Sequence, residues 1–439
     1  MKAWGHALAA LAAFSVGGAA AQDAEPLRAE QARLFEAMTA SPGDLDAMFA
    51  YAAVSMRLRD YEAAIATLER MLIFEPDLPR VRLELGVAYF RLGSYEVART
   101  YFEDALAADP PDAVVERVQP FLAAIEERTA RNAFSGFVSL GLVYSSNANL
   151  GPEDREFETT FGVAQLPDDA TGEGDVGLRL SAGLRHDYDL RLAREANWIT
   201  SLAYSGLRYR EVDEGDFDVV QVETGPRIAL DARAFGPKAR PFALGGFVRS
   251  EHEPLYGFGG AGVELTDTLD EETGLFAVGS AQWRDYEEGR DESDGLYAAL
   301  RGGASWTGIE DVTLRGALLL ETDRAQEGHA SANEIGVRLS AARRFPIGAV
   351  TGLETVFAGA ATSSAFLQVS GRLFDDPDPD IDADTRRRDL EGRVGVRLFA
   401  PLQEGWGVSA EASLFGRDSN YDQNDVDNIE IGVSVLKSF

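Results

Sequence analysis

Residues 428–439 read NIEIGVSVLKSF, with Ile429, Ile431, Val433, Val435 and Phe439 on one side of a two-residue period. Glu430, Gly432, Ser434 and Ser438 occupy the other side. Strict alternation marks a β-strand with two unlike faces. The apolar face runs to the last residue, where most domains have a polar, frayed tail. Left at the edge of a soluble sheet, such a strand is a template for aggregation. The stretch therefore asks for a sheet that closes on itself.

The same period recurs upstream. Val176, Leu178, Leu180, Ala182 and Leu184 alternate with Gly177, Arg179, Ser181, Gly183 and Arg185. Val312, Leu314, Leu318 and Leu320 alternate with Thr313, Arg315, Ala317 and Glu321, and Ile335, Val337 and Leu339 with Glu334, Gly336, Arg338 and Ser340. Windows of 12–15 residues recur from Arg131 to Phe439 with no helical pattern between them. They are longer than typical strands of soluble sandwiches and suit a tilted strand crossing a bilayer. Aromatics near window ends (Tyr144, Trp198, Tyr209, Trp306, Trp406) read as interfacial girdles. Connections alternate between short ones, FPIG and PLQEG, and longer acidic ones, DREFETTFGVAQLPDDATGEG and DDPDPDIDADTRRR. Fifteen windows can be drawn, but a single-chain barrel with both ends on the periplasmic side needs an even number. The ambiguous stretch is 349–374, either two strands or one strand plus a periplasmic segment. The expectation is an all-β transmembrane barrel of about 14 antiparallel strands over residues 132–439.

Residues 22–131 have a different character. They are poor in glycine, and a shift of 34 positions lays RDYEAAIATLERMLIFEPDLP on GSYEVARTYFEDALAADPPDA. Ala52 then falls on Gly86, Leu58 on Leu92, Tyr61 on Tyr95, Ala64 on Ala98 and Leu68 on Phe102. Pro42, Pro76 and Pro110 form a third series with the same spacing. This is the period of the tetratricopeptide (TPR) helix pair. Small residues let paired helices approach, larger ones fill the gap, and proline ends the second helix. Two full repeats are expected, preceded by a helix over 27–39 and closed by a helix over 112–127. Ahead of them, residues 1–21 carry basic Lys2, an apolar run and Ala19-Ala20-Ala21 before Gln22, the pattern of a secretory signal peptide.

Composition narrows the function. The 73 acidic and 41 basic side chains give a net charge of -32, which argues against nucleic-acid binding. The chain has no cysteine, which excludes thiol chemistry, disulfides and a bacterial-type lipid anchor. No enzyme is expected: beyond the leader only His186, His252 and His329 are present, and none lies in a recognisable nucleophile–base arrangement. No cofactor or metal is expected. The six aspartates between Asp375 and Asp384 resemble a calcium loop, but Ile381 and Arg387 stand where an EF-hand has glycine and glutamate. The loop reads as a solvated acidic one.

A signal peptide, a short periplasmic TPR module and a C-terminal barrel resemble the Slam family, the surface lipoprotein assembly modulators. LPRVRLELGVAYFRLGSYEVARTYFEDALAADPP is similar to that family's last repeat, and FSGFVSLGLVYSSNANLGP to its first strand, through Tyr144, Ser146, Asn147 and Asn149. The resemblance covers nearly the whole mature chain. It implies an outer-membrane translocon with its TPR domain in the periplasm, delivering a secreted or lipid-anchored client protein to the surface. Its partners would include outer-membrane lipid and the barrel-insertion machinery. With only two clear repeats, the identity of the client is not carried over. The alternatives are a polysaccharide-export barrel, which generally carries more repeats, or a passive porin-like channel.

Two candidate sites follow. Helical repeats present the same helix positions to a ligand, here Phe49, Met56 and Arg57 in one repeat and Arg80, Phe90 and Arg91 in the next. These residues either bind the client or, at Phe49 and Phe90, pack against a neighbouring helix or the barrel. On the polar face of the strands lie Arg179, Arg185, Arg315, Arg338, Arg393 and Arg397, with Glu321, Glu334, Glu391 and Glu430. These charges either pair across a narrow lumen or line a polar path.

Overall fold

A computed structural model describes residues 24–439, apart from 108–109, 153, 160–161, 168–169, 193, 232, 234–235 and 353–355. The expected signal peptide, residues 1–21, lies outside the described residues. The chain divides at residues 133/134 into two compact units.

The first unit holds helices α1 (Ala24–Ala40), α2 (Leu45–Arg57), α3 (Tyr61–Phe74), α4 (Pro79–Leu92), α5 (Tyr95–Leu106) and α6 (Asp112–Thr129). Local chemistry sets their ends. The Asp44 carboxylate accepts from the amides of Asp46 and Ala47 at the start of α2, and Asp60 accepts from Ala63 at the start of α3. Pro79 opens α4, and Gly93, at φ 88°, closes it in the left-handed region. The equivalent residues of the two repeats occupy equivalent places. Ala52, Ala64, Ala98, Leu68 and Phe102 are all buried. A Cβ on Gly86 would meet the Phe102 ring at 2.7 Å, so the site opposite Ala52 takes glycine because its neighbour is the larger phenylalanine. Across the repeat junction the Tyr89 hydroxyl donates to Glu69 at 2.6 Å and its ring stacks on Tyr101. Burial, and then the Glu69 carboxylate, push the Tyr89 hydroxyl up to about 12.

The second unit is a closed antiparallel barrel of fourteen strands. They are β1 (Asn132–Ser145), β4 (Asp175–Asp189), β5 (Ala196–Tyr209), β6 (Phe217–Ala229), β7 (Lys238–Ser250), β8 (Glu253–Thr268), β9 (Thr273–Tyr286), β10 (Gly295–Ile309), β11 (Val312–Ala325), β12 (Ala332–Phe345), β13 (Ala361–Pro377), β14 (Arg386–Pro401), β15 (Trp406–Ser419) and β16 (Val426–Ser438). A small hairpin of β2 (Glu156–Thr159) and β3 (Gly162–Gln165) lies in the β1–β4 connection. The ambiguous stretch resolves as one strand, β13, preceded by a five-residue helix, α7 (Ile347–Thr351). That helix also corrects the expectation of an uninterrupted run of strands.

The opening stretch closes the cylinder. β16 pairs with β1 in a register that sets Val435 against Leu140 and Val433 against Leu142. One residue beyond the end of β16, Phe439 exchanges backbone hydrogen bonds of 2.9 and 3.0 Å with Gly136 of β1. Leu140, Leu142, Ile431, Val433, Val435 and Phe439 are all exposed on the outside. Equivalent positions on other strands, such as Leu178, Leu300, Leu318, Ile335, Leu339 and Val396, share this exposure. Burying apolar side chains normally drives folding, so an apolar outer wall needs an apolar solvent around it. Trp198, Trp306 and Trp406 mark one rim of this wall, and Tyr144 and Trp283 the other. Lys437 lies 5.3 Å from the centre of the Trp406 ring and donates to the Glu404 carbonyl.

Tyr209 does not join a girdle. It lies eleven positions after outward Trp198, an odd offset, so it points inward opposite Gly177.

Candidate functional site: the inner wall and the repeat face

On the repeat unit, the proposed face divides. Phe90 is committed to packing, edge-on to Tyr95 at 5.6 Å and to Phe121 at 5.2 Å, with the Arg128 guanidinium 4.9 Å from its ring centre. Phe49 and Met56 are half-buried against the core of the first repeat. The Arg80 guanidinium covers Phe49 at 4.4 Å. Arg57 and Arg91 are exposed on α2 and α4, the first helices of successive repeats. What remain open to a ligand are the exposed side chains of Arg57, Arg80 and Arg91, with Phe49 covered by Arg80.

In the barrel, the register places all ten singled-out charges on the inward face. Their pairing differs from the expectation. Arg179 on β4 binds Glu411 on β15 at 2.7 Å and Glu430 on β16 at 2.8 Å. Arg397 also meets Glu411, Arg417 meets Glu391, and Arg372 meets Glu334. Arg240 joins Glu223 and Glu264, and Arg284 joins Asp323. Glu321 accepts from the Tyr297 hydroxyl at 2.6 Å, and Arg185 holds Asp187 on its own strand. Each of these inner-wall bridges ties strands at most three places apart around the cylinder, so pairing across the lumen is corrected to pairing along the wall. Fourteen strands set opposite walls too far apart for two side chains to meet.

The inner wall is uneven. Arg301 on β10, Arg315 on β11, Arg338 on β12 and Arg393 on β14 have no carboxylate in salt-bridge range among the described residues. All four face inward and are nevertheless exposed, so the space before them holds solvent.

The motif carrying the family resemblance has a structural task. Asn428 on β16 accepts from the Ser145 hydroxyl at 2.9 Å and the Asn147 amide at 3.1 Å. Buried Asn147 donates to the Gly151 carbonyl at 2.7 Å, and Asn149 donates to that of Thr171 at 2.8 Å. These bonds fold the long β1–β4 connection back onto the seam between first and last strands.

Two loop clusters went unseen in the sequence or were weighed there. Asp213 and Asp216, between β5 and β6, meet His252 in the β7–β8 turn, with ligand atoms within 4.8 Å of one another. The Arg208 guanidinium already lies 3.8 Å from Asp216, which the Tyr209 amide also engages. Nothing local in sequence joins these residues. In the acidic loop, Asp378 accepts from the Asp380 amide and Asp382 from those of Asp384 and Thr385, while the Tyr421 hydroxyl donates to the Thr385 carbonyl. Those amides hold the Asp382 carboxyl below its usual range.

Residues 52–123 match the tetratricopeptide repeat family model. No curated protein matches the chain. Among solved structures, the outer membrane channel DcaP of Acinetobacter baumannii aligns at 8% identity over 70% of this chain and 97% of its own, with a TM-score of 0.38. A loop-deletion mutant of OmpT, an outer membrane protein of Vibrio cholerae, aligns at 9% identity over 70% and 100%, with a TM-score of 0.36. PcrH, in complex with the chaperone binding region of PopD, aligns at 21% identity over 26% and 98%, with a TM-score of 0.20. The chain joins a TPR module, matched over residues 52–123, to a closed fourteen-stranded barrel.

Proposed function

We propose that this protein is an outer-membrane conduit for a secreted or lipid-anchored client, with the TPR module in the periplasm. The repeats recruit the client through the exposed side chains of Arg57, Arg80 and Arg91, and the barrel conducts or displays it. The observation that carries the conduit is the inner wall: its ion pairs run along the wall, and four inward arginines meet solvent. A wet, polar passage inside an apolar cylinder suits hydrophilic cargo. The repeats support recruitment because paired helices with exposed Arg beside an aromatic suit peptide capture.

The test removes residues 26–130 while keeping the leader and the barrel. Surface biotinylation should then show the truncated barrel at the outer membrane, with a defined set of surface proteins lost. An unchanged surface proteome removes the recruitment role. The same exposed arginines also favour a second reading, a porin-like solute channel. Under it, loss of the whole barrel slows growth on small charged solutes, and loss of the repeats does nothing.

A further inference from the structure

Four arginines without carboxylate partners, Arg301, Arg315, Arg338 and Arg393, fall in one sector of the wall, β10 to β14, and inward Arg344 at the end of β12 is a fifth. Arg338 and Arg393 flank Gln368 of β13 in a single register row, Arg338 donating to the Gln368 side-chain oxygen at 3.3 Å. Two strand spacings separate them, about 10 Å. Arg315 pairs with Ser340, two residues along β12 from Arg338. By register Arg301 lies across β11 from Gly336, two residues from Arg338, and Arg397 lies across β13 from Ala342, four residues from it. Only Arg397 of this group has an acid, Glu411.

Repulsion among close cations is unfavourable unless an anion joins them. The chain has carboxylates to spare, with 73 acidic against 41 basic side chains, yet the register partners of Arg315 are Ser305 and Ser340, those of Arg338 Ala317 and Gln368, those of Arg393 Gln368 and Phe415, and those of Arg301 Leu319 and Val278. Phenylalanine backs three of the four: Phe366 lies 4.6 Å from Arg338, Phe415 5.0 Å from Arg393 and Phe276 5.9 Å from Arg315. A ring contact uses none of a guanidinium's N–H groups, so those not already bonded, as one of Arg338 is to Gln368, are open to an oxyanion. Arg179, Arg240, Arg284 and Arg417 on other strands, and Arg372 farther along β13, spend those edges on Glu or Asp.

We infer that the β10–β14 sector is a binding site for small polyvalent anions, molecules bearing two or more phosphate or carboxylate groups within roughly 10 Å. The site rests on the reading of the barrel as a water-filled passage. It requires the lumen to favour anions although the whole chain is strongly acidic.

The experiment uses the full chain folded in detergent, with tripolyphosphate and citrate as probes in separate isothermal titrations. Wild type should bind at least one, and which one binds tells phosphate from carboxylate chemistry. Binding should weaken as salt rises past about 0.1 M, where exposed charges are screened. The double variant Arg338→Gln, Arg393→Gln should lose about tenfold or more in affinity, the loss of two charge-assisted contacts. Ser340→Glu sets a carboxylate between Arg315 and Arg338, so it should abolish binding without endangering the fold. Arg28→Gln with Arg117→Gln, exposed on α1 and α6 of the repeat unit, should leave binding unchanged. The inference is overturned if wild type binds neither probe, if Ser340→Glu binds as wild type does, or if only the repeat variant loses binding. A folded barrel that binds the probe yet passes no current in a planar bilayer contradicts the conduit reading and upholds the site.

Discussion

Replacing Arg179 tests how the inner wall holds the seam. Its guanidinium reaches from β4 over β1 to Glu430 on β16, at 2.8 Å, and to Glu411 on β15, at 2.7 Å. Two unit charges at 2.8 Å attract by about 6 kcal/mol at an effective dielectric of about 20, and by about 1.5 kcal/mol in bulk water. The two side chains are 28% and 23% exposed, in a wet lumen, which places the pair toward the lower limit. We expect a coupling of about 2 kcal/mol between Arg179→Gln and Glu430→Gln, within the range of a charge-assisted hydrogen bond. Arg179→Gln alone should cost more, about 3 kcal/mol, because Glu430 is left without its partner while Glu411 keeps Arg397. The assay is a double-mutant cycle by equilibrium urea unfolding in lipid vesicles, followed by tryptophan fluorescence. A coupling below about 0.5 kcal/mol, the value of an exposed surface pair, refutes the reasoning.

Gly86→Val places carbon 2.7 Å or less from the immobile Phe102 ring and should destabilise the repeats by about 2–3 kcal/mol, seen as a lowered melting midpoint of the helical signal. Deleting Phe439 removes both backbone bonds to Gly136 and should lower the yield of closed barrel, measured by heat-modifiable gel migration, while the repeats stay folded. The raised Tyr89 hydroxyl gives pH dependence of known sign. Its neutral form is favoured in the folded state, so its contribution is intact below the ordinary value of 10.0 and is lost as pH rises toward about 12. Thermal midpoints of the repeats between these limits should fall more steeply for wild type than for Tyr89→Phe.

Much of the architecture was legible in the sequence because two periods carried it. The 34-residue shift paired Ala64 with Ala98 and Leu68 with Phe102, and all four are core residues. Alternation assigned each strand's faces, and so put Arg338 and Glu334 inward without knowledge of their neighbours. Pairing was not legible, because register between strands is set by connections such as 346–360, whose α7 broke the period. Register decides that Glu334 meets Arg372 while Arg338 meets only Gln368. Tyr209 was misassigned although parity with Trp198 already fixed its side; nearness to a strand end was the weaker signal. Whether Phe90 binds a client or packs on a neighbouring helix stays open in the sequence, because its partners, Phe121 and Arg128, lie a full helix pair away. The Asp213, Asp216 and His252 cluster was missed for the same reason: two loops bring it together, and loops carry no period.

The conduit claim is tested most directly inside the barrel. A photo-crosslinking residue in place of inward Ser413, between Arg393 and Arg397 in register, samples the lumen wall in living cells. Protein adducts should form at this position in cells with the intact chain and be lost when residues 26–130 are removed. Adducts at Arg57 on the repeats with none at Ser413 would contradict passage through the barrel.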